Sequence, residues 1–358
     1  MHHRLLRHMF PFIEEEHPHI HGEEEVLLIF QRLFSDQEAE VASELSFIPM
    51  DIKEFSAQTG KREDELLPLL EGMAKKGLVY ADEKNGQRRF SLLLLAPGIM
   101  ELQFMKGEVN EKKKELANLF EKFFDSMGEK FYDVETPLPR VLPVERFIPP
   151  IAEVLPYERV SRYIQESSAI SLSICYCRHQ AKLLGKGCGK PVDVCMTFGP
   201  FAKFTAKYGF AKEVSKQEAT KALDRCEEAG LVHLTENCQK KISFICNCCG
   251  CCCFFMKGIT KYDKPNSIAT SNYLCKVDLN LCNSCNVCIE RCQVKAIEMI
   301  DEGVKINKDR CIGCGVCAIS CPTECLTLEK RETIREPLPD SKMLRGAVAM
   351  EMASKKRF

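Results

Sequence analysis

Residues 282–292 read CNSCNVCIERC and residues 311–322 read CIGCGVCAISCP. Both runs space their cysteines C-x2-C-x2-C-x3-C: Cys282, Cys285, Cys288 and Cys292, then Cys311, Cys314, Cys317 and Cys321. The spacing has a geometric reason. Three closely spaced thiolates wrap one face of a cube-shaped metal centre, and a turn brings the fourth ligand from the partner run. The chain has 358 residues and 22 cysteines, none before Cys175 and none after Cys325. Thiols in a reducing compartment stay unpaired, so this crowding reads as metal ligation rather than disulfides. The chain is therefore modular: a cysteine-free half followed by a metal-loaded half.

The two runs resemble those of bacterial ferredoxins that hold two [4Fe–4S] clusters. The resemblance implies that Cys282, Cys285, Cys288 and Cys321 hold one cluster, and that Cys311, Cys314, Cys317 and Cys292 hold the other. Zinc is the alternative occupant. One departure is Gln293, which stands where such sequences usually place proline; the second run keeps Pro322. A helical stretch is expected after each run, at Ala296-Ile297-Glu298 in the first, then a strand pair around Asp301-Glu302-Gly303. Cys325 is left over and reads as a small buried residue.

The middle of the chain holds thirteen cysteines between Cys175 and Cys275. Cys175, Cys177, Cys188 and Cys195, with glycine-rich spacing, suit a tetrahedral zinc or another Fe–S cluster. Arg178 and His179 follow directly and are either a surface pair or a source of positive charge near cluster sulfur. Ser215-x-x-Glu218 is a capping box that starts a helix. The stretch ALDRCEEAGLVH then matches LLEGMAKKGLVY nearer the N-terminus, which suggests a second, weaker winged-helix-like unit with Cys226 in an apolar slot. Residues 246–253 read CNCCGCCC. Alternation along a strand sends Cys246 and Cys248 to one face and Cys249 to the other. Cys251, Cys252 and Cys253 continue past Gly250. Adjacent thiols fit one cube poorly, so the run is expected to feed one or two further clusters, one of them shared with Cys175 to Cys195, with some cysteines left as spares or redox-active thiols; a zinc site plus free thiols is the alternative. Cys248-Cys249-Gly250 also resembles the CCG motif of heterodisulfide-reductase-type subunits, over three residues only.

The cysteine-free half reads as helices followed by a hairpin. Val26 to Phe34 forms a supporting helix. A short helix carries Ile52 and Phe55, a turn follows at Thr59-Gly60, and a second helix sets Leu66, Leu67, Leu69, Leu70 and Met73 on one face up to Gly77. Two strands then flank Asn85-Gly86, the strongest short hairpin signal. This pattern is similar to a winged helix. Its charge argues against DNA: residues 1–105 contain 11 Lys/Arg and 19 Asp/Glu, and phosphate neutralisation dominates nucleic-acid affinity. Only Lys84, Arg88 and Arg89 of the wing suit DNA. His17, His19 and His21 read as part of a mobile polar N-terminus, with metal binding the alternative.

The expected organisation is α+β and multidomain. A winged-helix-like domain spans 1–105, and an amphipathic helix with a proline-rich connector spans 106–165. A cysteine-rich domain covers 166–275, a dicluster ferredoxin-like domain 276–330 and a basic tail 331–358. The connector's helix is expected to bury Leu116, Leu119, Phe120, Phe123, Phe124, Met127 and Phe131. The tail, with 8 Lys/Arg against 4 Asp/Glu from Lys330 onward, is expected to be disordered or to meet an acidic partner. No apolar run approaches the roughly 18 residues of a membrane span, and no secretory signal is evident, so the expected address is cytoplasmic.

The whole arrangement resembles uncharacterised 4Fe–4S binding proteins of anaerobes, a resemblance that carries no established activity. The leading expectation is a multi-cluster carrier that passes single electrons between a partner oxidoreductase and its own clusters. With no G-x-G-x-x-G or P-loop, flavin or nicotinamide chemistry belongs to that partner. Two alternatives are a cluster-controlled winged-helix regulator and a reductase with a substrate site at the middle-domain centre.

Overall fold

The computed structural model describes residues 1–10, 22–148 and 155–354. His17, His19 and His21 lie outside them, as does the part of the proline-rich connector between residues 149 and 154.

The N-terminal part packs helices His2–Met9, Glu23–Leu33 and Asp36–Ala42 against a small helix-and-sheet unit. Asp51 caps helix Ile52–Thr59 by accepting from the Glu54 N–H at 2.9 Å. Gly60, at φ +68°, ends that helix. Helix Glu63–Lys76 buries Leu66, Leu70, Met73 and Ala74. Strands Val79–Lys84 and Gln87–Leu92 form the expected hairpin, with Asn85 and Gly86 both left-handed (φ 54° and 74°), as a two-residue type I′ turn requires. The short strand Met50–Asp51 joins the other edge of Gln87–Leu92.

This hairpin is not a free surface. Tyr80 packs on Phe201 and Phe204 of helix Gly199–Lys207. The Arg88 guanidinium donates to the Tyr208 hydroxyl at 2.7 Å and to the Glu71 carboxylate at 2.9 Å. Arg89 is paired with Asp82. The two wing arginines are thus engaged inside the chain.

Helix Glu111–Met127 buries Leu116, Leu119, Phe120, Phe123, Phe124 and Met127, as its spacing predicts. The central sheet has six strands. In spatial order they are Pro139–Leu142, Val232–Glu236, Phe244–Cys248, Asp193–Phe198, Ile170–Ile174 and Lys212–Glu213. All neighbours are antiparallel. Helix Lys216–Glu228 begins at the predicted Ser215/Glu218 capping box, and Cys226 is fully buried in the apolar slot. Strand Phe244–Cys248 does not end a separate wing, because Asp193–Phe198 occupies its other edge and absorbs it into the large sheet.

The C-terminal cysteine region repeats itself. The two runs are offset by 29 residues, and the backbone repeats at the same offset. Ser284 and Gly313 are both left-handed, as are Asn286 and Gly315, and Lys295 and Glu324. Helices Val287–Arg291 and Val316–Ile319 lie inside the runs. The helix expected at Ala296-Ile297-Glu298 is absent: Ile297–Ile300 is a strand paired with Gly303–Ile306. The thiol-bearing loop needs the helical turn between its third and fourth cysteines, and alternating residues after them cover the core. Strand Tyr273–Val277 pairs with Leu326–Lys330.

The basic tail folds back on the chain. Leu338–Asp340 pairs in parallel with Cys238–Lys240, and a helix follows at Ser341–Ser354. The Glu351 carboxylate accepts from the Glu135 and Thr136 N–H groups at 2.8 Å. Among the described residues no helix is long and apolar enough to cross a membrane.

Two glycines in one region test this packing in opposite directions. Gly72 sits inside a helix with nothing within 4 Å of an added Cβ, so Gly72→Ala should stabilise by about 1 kcal/mol. Gly77 is left-handed, and a Cβ there would strike Leu102 and Phe210. Gly77→Ala should destabilise by about 2–4 kcal/mol, from the left-handed backbone and the overpacking together. Anaerobic thermal unfolding of the two variants should therefore move to opposite sides of the parent.

Candidate metal centres

The ten middle-domain cysteines singled out in the sequence gather in two groups. Cys175 precedes helix Tyr176–Leu183, and Cys177 stands in its first turn. Cys195 lies on strand Asp193–Phe198, whose register pairs it with Ser173. Cys246 and Cys248 alternate onto one side of strand Phe244–Cys248, and Cys253 precedes helix Phe254–Thr260. These six thiols are neighbours in a ring, 175–177–253–248–246–195 and back to 175, each shifting the ionisation of the next. Five of the six are buried and Cys246 is nearly so.

Around this ring the thiols alternate between easier and harder to ionise. Hydrogen bonds from Cys177 and Cys195 pull the Cys175 thiol well below its ordinary range. Cys246 falls to about 6, held by Cys195 and Cys248, and Cys253 also falls, held by Cys177 and Cys248. The intervening thiols rise, Cys177 chiefly through burial, Cys195 through Cys175 and Cys248 through Cys246. Three sulfurs are ready anionic ligands, and three release protons when a metal binds.

Cys188, Cys249, Cys251 and Cys252 form the second group, their sulfurs all within 4.8 Å of one another. Cys188 lies 3.9 Å from Cys249 and 3.7 Å from Cys252. The sequence spacing grouped Cys188 with Cys175, Cys177 and Cys195; the structure places it instead with the CCGCC turn. The adjacent pair Cys251 and Cys252 share this group at 3.7 Å. The chain leaves its strand after Cys248 and coils, the Cys253 N–H meeting the Cys249 carbonyl at 3.2 Å, so strand alternation no longer separates neighbours. Cys249 is fully buried and Cys251 exposed. A hydrogen bond from Cys252 lowers Cys249 to about 4, whereas burial raises Cys251 to about 11.

Arg178 and His179 part company. His179 meets the Glu108 carbonyl at 2.9 Å, facing the N-terminal part. Arg178 is 1% exposed and lies among the thiols: Nη1 donates to the Asn247 carbonyl at 3.0 Å and sits 3.8 Å from Cys249 Sγ. The N-terminal part also reaches this region through Glu101, whose carboxylate accepts from the Gly98 N–H at 2.6 Å and from Tyr176, and which burial lifts to about 7.

In the C-terminal region Cys292, Cys311, Cys314 and Cys317 are close enough to perturb one another electrostatically, consistent with one ligand set. The Ala296 N–H donates to Cys292 Sγ at 3.2 Å, the kind of N–H···S bond that stabilises anionic sulfur. Cys285 and Cys317 perturb Cys288. Two thiols outside the expected ligand sets lie beside them. Cys275 is 3.5 Å from Cys317, and Cys325 is 3.4 Å from Cys321. Cys325 is buried, as expected, but among sulfurs.

The two cysteine-bearing regions touch at the residues flanking Cys292. Arg291 donates to the carbonyls of Glu227, at 3.2 Å, and Glu228, at the end of helix Lys216–Glu228. Gln293 Oε1 accepts from the Gly250 N–H at 2.9 Å. The departure from proline thus supplies the acceptor that joins the first run to CNCCGCCC, a role that the motif spacing gave no sign of.

Comparisons with known proteins agree with the C-terminal region. A family model described as "4Fe-4S binding domain" matches residues 304–327, which include Cys311, Cys314, Cys317 and Cys321. An uncharacterised ferredoxin of Methanocaldococcus jannaschii is 37% identical over 98 residues, 26% of this chain and 57% of that protein. Hydrogenase-4 component A of Escherichia coli is 30% identical over 82 residues, 22% of this chain and 38% of that protein. The chain therefore spans about half or less of these relatives' length. No solved structure matches. The chain carries a 4Fe–4S binding domain within a mixed α and β fold.

The Gly250–Gln293 contact is directly testable. A Cβ at Gly250 would fall inside contact distance of the Gln293 carbonyl, so Gly250→Ala should cost about 1–3 kcal/mol by overpacking. Gln293→Ala should cost about 1 kcal/mol by removing the acceptor, while Gln293→Glu, which keeps one, should cost less. Anaerobic thermal unfolding of the three variants should rank them in that order.

Proposed function

We propose that this chain is a multi-cluster iron–sulfur electron-transfer protein that exchanges single electrons with a partner oxidoreductase. Two [4Fe–4S] clusters are assigned to its C-terminal domain, one on Cys282, Cys285, Cys288 and Cys321, the other on Cys311, Cys314, Cys317 and Cys292. Further Fe–S centres are assigned to the ten middle-domain cysteines. The observation that carries this reading is the contact of Gln293 with Gly250. It places a residue bonded to Cys292 one hydrogen bond from the residue between Cys249 and Cys251, which supports reading the assigned centres as one path. The printed name of the hydrogenase component suggests the kind of redox enzyme the partner is. An anaerobic setting suits a protein so rich in free thiols.

In this reading the organisation is that of the sequence: a winged-helix-like domain at 1–105, a connector to 165, a cluster domain to 275, a ferredoxin-like domain to 330 and a tail. The N-terminal unit acts as a structural and docking module. A DNA-binding regulator is disfavoured because Arg88 and Arg89 are already paired within the chain.

One observation favours the reductase alternative. A cavity of about 260 Å³ is lined by Cys177, Cys251 and Cys252, with Phe124, Tyr132 and Lys257 among its other walls. Whatever part of that space the outer centre leaves free would be open to a substrate.

Iron, acid-labile sulfide and zinc per chain on anaerobically purified protein test the proposal. About eight irons are needed for the ferredoxin-like pair alone; twelve or more with little zinc are expected. Dithionite reduction followed by reoxidation with a one-electron viologen acceptor should return as many electrons as there are clusters. Zinc in place of iron would end the electron-transfer reading.

A further inference from the structure

We infer that the middle domain holds two separate iron–sulfur centres that share one buried guanidinium, Arg178, as a hydrogen-bond donor to the sulfur of both. The inference rests on the proposed iron–sulfur reading and adds to it the division of the cysteines and the role of the arginine. The buried centre takes its ligands from Cys175, Cys177, Cys195, Cys246, Cys248 and Cys253. The outer centre takes Cys188, Cys249, Cys251 and Cys252.

Division into two follows from the chain path. Cys248 and Cys249 are consecutive, as are Cys252 and Cys253, and in both pairs the chain crosses from one thiol group to the other. The six are set by helix Tyr176–Leu183, the paired strands Asp193–Phe198 and Phe244–Cys248 and the start of helix Phe254–Thr260, without any of the four. The four satisfy one tetrahedral-scale sphere without any of the six. A cubane uses four thiolates, and ten ligands exceed what one such centre can take.

Arg178 supplies the independent observation. It is 1% exposed, and no carboxylate lies within ion-pair distance of it among the described residues. Its Nε and Nη2 have no hydrogen-bond partner there. A buried, unpaired guanidinium is costly, and the groups whose charge would offset it are metal-ligating sulfurs: Cys175 and Cys195 of one group and Cys249 of the other. Nη1 is taken by the Asn247 carbonyl and the Cys249 sulfur, which leaves Nε and Nη2 as buried donors for sulfur of the other group. Guanidinium is permanently charged and planar, so it can donate to two neighbouring sulfurs at once. Positive charge and N–H···S bonds at a cluster favour its reduced form and raise its potential. One arginine would so hold both potentials up together.

The test combines redox titration followed by EPR with iron counting, on the full chain. Arg178→Gln, which keeps every cysteine, should shift two midpoint potentials negative together and leave the two ferredoxin-like potentials in place. Arg178→Lys, which keeps the charge but not the fork, should recover part of that shift. Cys252→Ala should remove the outer centre's signal and keep the buried one, and Cys195→Ala the reverse. If both cysteine variants lose the same signals, the middle domain has a single centre and the division is wrong. If Arg178→Gln moves one potential or none, the shared role of the arginine is wrong, whatever the parent's iron count. A parent with zinc in the middle domain would fail the underlying reading instead, and is recognised before any variant is made.

Discussion

The Gly250 N–H meets the side-chain oxygen of Gln293 at 2.9 Å, and the relation between the two thiol-rich regions depends on that contact. Gly250 leaves no room for a side chain because the Gln293 backbone lies against it. Arg291, on the other side of Cys292, fastens the same loop to the end of helix Lys216–Glu228. A ligand of one expected cluster is therefore held from both sides by the domain that carries the other thiols. Distance and rigidity govern electron tunnelling between centres, and a pinned loop provides both. Proline after the fourth cysteine would keep the loop stiff but offer no acceptor for Gly250.

The ferredoxin-like runs were legible because their chemistry is local. Ligand spacing, loop shape and the left-handed positions all recur 29 residues apart, at Ser284 and Gly313 and again at Asn286 and Gly315. The N-terminal helices and the Asn85-Gly86 hairpin were legible for the same reason, since caps and turns act over a few residues. Strand alternation also foretold that Cys246 and Cys248 part from Cys249. What was not legible is tertiary. Nothing near Cys188 in sequence says that it joins Cys249 and Cys252, because the loop after helix Tyr176–Leu183 sets that distance. The adjacent thiols Cys251 and Cys252 looked incompatible only on the assumption that the strand continued. The tail, read from its charge, gave no sign of the strand that pairs Leu338 with Cys238.

The cysteine-free half bears on the metal centres through packing. Helix Met100–Phe104 lies against helix Tyr176–Leu183, which carries Cys177 and Arg178. Glu108 receives His179, and the hairpin's Tyr80 and Arg88 seat on helix Gly199–Lys207 and Tyr208. A module whose two wing arginines are already paired within the chain has little left with which to hold phosphates. It is better suited to fixing the helix that sets the arginine among the sulfurs.

Exposure gives the proposed path a direction. Cys285 and Cys251 are the exposed members of their groups, whereas the six-thiol cycle is enclosed. In a chain of centres, electrons enter and leave where a partner's cofactor can approach closely, and centres inside store or relay them. The ferredoxin-like end at Cys285 and the outer group at Cys251 would be the two ports. The enclosed cycle lies beside the second port, separated from it by the Cys248–Cys249 and Cys252–Cys253 peptide links and by Arg178. A carrier with one port needs only the ferredoxin-like pair. A second exposed group beside a cavity would give electrons delivered at the ferredoxin-like end a place to leave the proposed path.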